Sequence, residues 1–114
     1  MEYVINRDAI EYAKQLVEEG ARARNTMWAN SAPSPQKAER FRREHGDQAF
    51  SRWYLVVDPN GAGIAGYQFP IGDFSRVHES GVRAARRHGE LNGHPELVAA
   101  ADEILDLLDR LNAC

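Results

Sequence analysis

Asp73, Ser75 and His78 are the residues whose types and spacing come closest to nucleophilic chemistry. A hydroxyl attacks only when a base within hydrogen-bond reach takes its proton and a third group orients that base. The same three residues are explained without catalysis. Asp73 is a favoured helix-capping type, Ser75 suits a helix start, and no strained turn in the pattern lifts its hydroxyl into the open. His78 falls on the apolar stripe of the helix expected to follow and reads as a buried, structural histidine. Gly61, Gly63 and Gly66 spell G-x-G-x-x-G, which in dinucleotide sites leads from a strand into a helix whose N-terminus holds the pyrophosphate. Here Tyr67, Gln68, Phe69 and Pro70 follow, a strand-like run closed by proline, so the glycines read as a hairpin loop. None of His45, His78, His88 and His94 stands three or four residues from another histidine or from a cysteine, so local zinc spacing is absent. The sequence assigns no catalytic, cofactor-binding or metal-ligating residue, and an enzyme is not expected.

Arginine is the other residue type that could do chemistry, by pairing with phosphate or carboxylate. Net charge is −3, but it is unevenly spread. Residues 22–52 carry seven basic and three acidic side chains, whereas residues 93–114 carry Arg110 against five acids. Two readings stay open: mutual neutralisation of these segments in the fold, or a basic surface for nucleic acid or an acidic partner. The residues named for a partner surface are Trp28, Arg40, Arg42, Arg43, Arg76, Arg83 and Arg87. Trp28 belongs to the set because exposed tryptophans favour interfaces, although a large apolar group in a loop commonly anchors it to the core.

The elements that must carry these residues follow from periodicity. A helix is expected from about Arg7 to Ala21, capped by Asn6, with Ala9, Tyr12, Ala13 and Leu16 on its apolar stripe. A second is expected from Pro35 to about His45, capped by Ser34, ended by Gly46, and mostly wet. Trp53 to Val57 and Ile64 to Phe69 read as strands of an antiparallel hairpin around Asp58, Pro59, Asn60 and Gly61. A third helix is expected from Phe74 to about His88, capped by Asp73. A fourth runs from Pro95 to about Leu111, with Leu97, Ala101, Ile104, Leu108 and Leu111 at alternating four- and three-residue steps. The short link between the last two makes them antiparallel neighbours. The fold class is therefore α+β: an antiparallel β-hairpin packed against about four α-helices, ending in an antiparallel helical hairpin, all in a single domain of 114 residues.

The stretch Tyr67, Gln68, Phe69, Pro70, Ile71, Gly72, Asp73, Phe74, followed by Val77 and His78, resembles a segment of small uncharacterised proteins of bacteria and their phages and prophages. These share an aromatic-x-F-P-x-G-D lead, a V-H pair, an Ala- and Arg-rich helix and a final acidic helix. The likeness covers roughly residues 53–108. It implies a phage-related setting and no particular chemistry.

Hydrophobic residues make up 43% of the chain and charged residues 27%, ordinary values for a folded domain. A single cysteine, Cys114, excludes an intramolecular disulfide, and no apolar run reaches the length of a membrane span. The start lacks a basic stretch followed by a long apolar run, so no signal peptide is expected. These features predict a cytoplasmic location and no membrane contact. The expected function is that of a non-enzymatic interaction protein, either a phage assembly accessory or an inhibitor of a host defence complex such as an anti-CRISPR. The alternative is a nucleic-acid-associated protein using residues 22–52 and the arginine face of the third helix. A homodimer is also expected, because the apolar seam of the fourth helix and the open edge of the hairpin both call for cover.

Overall fold

The computed structural model describes residues 4–58, 61 and 66–112. The order of elements is β1 (Val4–Ile5), α1 (Arg7–Glu18), β2 (Arg22–Ala23), α2 (Trp28–Ser31), α3 (Pro35–Ser51), β3 (Tyr54–Val57), β4 (Tyr67–Pro70), β5 (Val77–His78), α4 (Glu79–Asn92) and α5 (Pro95–Asn112). The expected α+β class holds. β3 and β4 form the antiparallel hairpin, with Val56 opposite Gln68, and the bond from the Asp58 N–H to the Gly66 carbonyl (2.8 Å) closes its loop. Part of the expected second strand, Ile64 and Ala65, lies outside the described residues.

Two small pairings absent from the sequence expectation complete the fold. β1 lies antiparallel on the other side of β3, with Val4 opposite Val57, so the chain's own start extends the hairpin into three strands ordered β1-β3-β4. β2 pairs in parallel with β5, with Arg22 opposite Val77. Asn6 precedes α1 as expected, but its side chain does not cap the helix. It donates instead to the carbonyls of Ser51 (2.9 Å) and Tyr54 (3.2 Å), tying the helix start to the end of α3.

The third expected helix starts later than its pattern suggests. Asp73 accepts from the backbone N–H groups of Ser75 (3.0 Å) and Arg76 (2.8 Å), which is a capping geometry. Yet Phe74 has a φ of +70°, and Val77 and His78 are extended, so α4 begins only at Glu79. The stiff Val77 is taken by the strand pairing, its N–H donating to the Ala21 carbonyl (2.9 Å), and tertiary pairing overrides helical periodicity. Likewise Gly46, with φ +88° and ψ 166°, interrupts α3 as expected, but the chain re-enters a helix and continues to Ser51.

The core forms where α1, α5, α4 and the sheet converge. Leu97, Ala101, Ile104 and Leu108 are fully buried, so α1, the sheet and α4 cover the apolar seam of α5 within one chain, leaving Leu111 at its margin. The hairpin edge beside β3 is likewise filled by β1. The α5 seam is thus covered within one chain, and the three-stranded sheet keeps β1 and β4 as its outer strands. A second cluster is aromatic: Phe74 stacks on Phe41 (4.5 Å between centroids) and meets Trp53 edge-on (5.8 Å), fastening α3 to the corner after β4.

Candidate functional site

The corner after β4 collects polar groups that sequence distance had kept apart. His78 is 2% exposed, the one buried polar residue among the described residues. Its Nε2 lies 2.9 Å from Asp73 Oδ2, and its Nδ1 lies 3.0 Å from Thr26 Oγ1. The Thr26 hydroxyl continues to Ser80 Oγ at 3.0 Å. A proton on Nε2 satisfies the whole line: the ring donates to the carboxylate and accepts from Thr26 at its other nitrogen. Burial opposes the Asp73 charge, but hydrogen bonds from His78, the Arg76 N–H and the Ser75 hydroxyl and N–H outweigh it and hold the carboxyl well below the usual carboxylate range.

Sequence reasoning singled out Asp73, Ser75 and His78, and the structure does join them, though in the wrong order for nucleophilic attack. Ser75 Oγ donates to Asp73 Oδ1 (2.9 Å) and leaves His78 to Thr26. The network is also roofed. The Trp28 ring centroid stands 5.9 Å from that of His78, and a Cβ added at Gly81 would come within 2.8 Å of the indole. Trp28 is half-buried in this role, so its indole serves the interior, while neighbouring Met27 is 70% exposed. What the arrangement accomplishes is mechanical: it pins residues 26–28 onto the start of α4 and the corner before β5. Thr26 had no signal of its own in the sequence, since its partner His78 lies 52 positions away.

The arginines separate into two groups. Arg42 is held by Glu39 (3.3 Å) and Asp47 (2.6 Å), and Arg83 by Glu79 (3.4 Å), which also receives Arg24 (3.7 Å). Arg86 joins α4 to α5 through Asp102 (2.6 Å). By contrast the side chains of Lys37, Arg40, Arg43, Arg76 and Arg87 have no ion pair among the described residues. Glu96, Asp106 and Asp109 of α5 are unpaired in the same sense. Among the described residues, therefore, no ion pair joins the basic 22–52 segment to the acidic 93–114 segment. The acids of α5 that do pair, Asp102 and Glu103, take Arg86, Arg7 and Lys14.

Three of the unpaired cations, Lys37, Arg40 and Arg43, step along the first half of α3. Lys37 and Arg40 border a depression of about 140 Å³ that also exposes parts of Phe41, Glu44 and Phe74. The Phe41–Phe74 stack fixes this stretch of helix against the corner, so the basic groups are presented from a rigid base.

Among the described residues no group of three or more His, Cys, Asp or Glu side chains is placed to hold a metal ion, and no helix is long and apolar enough to cross a membrane. No protein-family model, curated protein or solved structure matches this chain.

Proposed function

We propose that the chain is a non-enzymatic interaction protein of the cytoplasm, and that the first half of α3 is its contact surface for an acidic segment of another protein. One observation carries this reading: among the described residues Lys37, Arg40 and Arg43 lie unpaired on one helix, and Glu96, Asp106 and Asp109 lie unpaired elsewhere. Exposed ion pairs are individually weak, with a median near 0–1 kcal/mol. Affinity would come from adding apolar contact in the depression beside Phe41 and Phe74 to electrostatic attraction across the face. The resemblance to phage and prophage proteins gives the partner a setting, either particle assembly or a host defence complex.

A nucleic-acid partner is less well served. Glu39 and Glu44 interrupt the basic stretch of α3, Arg83 and Arg86 are engaged by acids, and the net charge of −3 works against a polyanion.

The test compares an acid-rich peptide with random duplex DNA, at low and moderate salt, against the native chain and a Lys37→Glu, Arg40→Glu, Arg43→Glu variant. Retention of the peptide by the native chain and its loss in the variant, at unchanged melting temperature, is the expected result. DNA binding with an affinity that falls steeply with salt would replace this reading with the nucleic-acid one. No binding to either overturns both.

A further inference from the structure

Beyond the α3 face, a groove of about 310 Å³ runs between α1 and the last turns of α3, lined by Asp8, Glu11, Tyr12, Gln15, Gln48 and Arg52. We propose that this groove is a binding site for a small zwitterion of the α-amino-acid type, with Arg52 taking the carboxylate and Asp8 the ammonium group.

Arg52 is held as if for a ligand. Its guanidinium lies 4.3 Å over the Tyr12 ring, and Tyr12 is itself fixed edge-on by buried Trp53, with ring centroids 5.5 Å apart. The stack Trp53–Tyr12–Arg52 immobilises a cation that would otherwise sweep through solvent, so little side-chain freedom is left to lose on binding. No acid pairs with it among the described residues, although Asp8 and Glu11 line the same groove. Its Nε is sealed from solvent with no hydrogen-bond partner. A buried donor in that state is uncommon and calls for an explanation. The terminal nitrogens of the planar fork remain for a carboxylate, the acceptor whose geometry they match.

The other wall selects among carboxylates. Glu11 is engaged by Arg7 (2.7 Å) and Lys14 (3.9 Å), but Asp8 has no ion pair among the described residues. A dianion such as phosphate would satisfy Arg52 and be repelled by Asp8 and Glu11. A simple cation would do the reverse. A neutral ligand leaves both charges unanswered. A carboxylate carrying an adjacent ammonium answers each wall, and the side-chain amide of Gln48 can donate and accept alongside it. Gln48, Arg52 and the groove follow the Gly46 break in α3, whereas Lys37, Arg40 and Arg43 precede it, so the two surfaces can be perturbed separately.

Side-chain amide resonances of Gln48 and Gln15 would be followed by NMR in the full chain during titration with glycine, acetate and inorganic phosphate. Glycine should produce saturable shifts, acetate weaker ones and phosphate none. Arg52→Lys keeps the charge but loses the fork, and should weaken glycine binding by about 10-fold or more. Asp8→Asn, at an exposed position, should turn the preference from glycine to acetate. Absence of saturable shifts with glycine, equal shifts with phosphate, or an unaltered glycine preference in Asp8→Asn would overturn the proposal. Should Arg52→Lys fail to fold, the Asp8→Asn result decides alone.

Discussion

Gly72 is the position where one methyl group should do most harm, and the reason is space rather than backbone conformation. A Cβ built there would stand 1.9 Å from the Arg76 carbonyl oxygen and 2.9 Å from both the Arg76 carbonyl carbon and the Trp53 ring. Ordinary contact between carbon atoms is about 3.5–4.0 Å, so the first clash can be relieved only by moving backbone. That backbone carries the bonds from the Asp73 N–H to Arg76 (3.2 Å) and from the His78 N–H to Ile71 (2.9 Å), and it aims Asp73 at His78. Losing two backbone hydrogen bonds at about 1 kcal/mol each, with about 2 kcal/mol of overpacking, gives about 4 kcal/mol for Gly72→Ala. This is a large share of the 5–15 kcal/mol typical of a whole domain. Gly81 is the internal control. The three atoms nearest to an added Cβ there all belong to the Trp28 ring, at 2.8–3.0 Å, and a half-buried indole can swing outward. Gly81→Ala should therefore cost about 1 kcal/mol, the low end for overpacking. Urea unfolding followed by circular dichroism, with both variants fitted to a common slope, measures the two costs. Equal losses, or a Gly72→Ala loss under about 1 kcal/mol, would refute the reasoning from backbone clash.

Asp73, whose folded-state pKa is depressed, contributes stability that is present at neutral pH and lost as pH falls below the ordinary carboxylate value of about 4. Asp73→Asn should lower stability at pH 7 by about 1–3 kcal/mol and flatten the loss of melting temperature on acidification. Glu103, held down at about 2 by Arg7 and Lys14, has the same sign but is solvent-screened, so a Glu103→Gln variant should keep most of the acid dependence. His78→Leu removes a group bonded at both ring nitrogens and should cost about 2 kcal/mol in a melt while leaving capture of an acid-rich peptide intact; loss of capture at normal stability would give His78 a role beyond the fold. Leu108 is fully buried and Leu111 is 37% exposed, so Leu108→Glu should abolish the helical circular-dichroism signal whereas Leu111→Glu should preserve it.

The elements built from local periodicity were readable: α1 from its apolar stripe, α5 from its leucine steps, and the hairpin from strand formers flanking a turn. The failures share one cause. Phe74, Val77 and His78 fit a helical stripe as well as Val82 and Ala85 do, and it is the pairing of Val77 with Arg22 and of His78 with Ala23 that makes two of them strand. β1 and β2, at two residues each, are too short to carry a pattern and exist because partners elsewhere need them. At the site, the bland expectation for His78 as a buried histidine agrees with its 2% exposure, but its link to Thr26 is a tertiary fact without a local trace. The charge blocks were visible in the sequence. Which of them meet was not, because ion pairing depends on how the helices are laid side by side.

The parallel clasp between β2 and β5 has a kinetic consequence. It joins Arg22 to Val77, and closing a loop of that length costs about 3.5 kcal/mol in chain entropy before its few contacts repay anything. The β3–β4 hairpin and the α4–α5 pair close far shorter loops and can form first, so the clasp belongs to the late steps of folding and to the low-energy end of local opening. Residues 21–28 would then detach and reseat as a unit while α4, α5 and the sheet stay folded. In such an excursion the Val77 amide exchanges with solvent sooner than those of β3, and the indole of Trp28 and the imidazole of His78 meet water together.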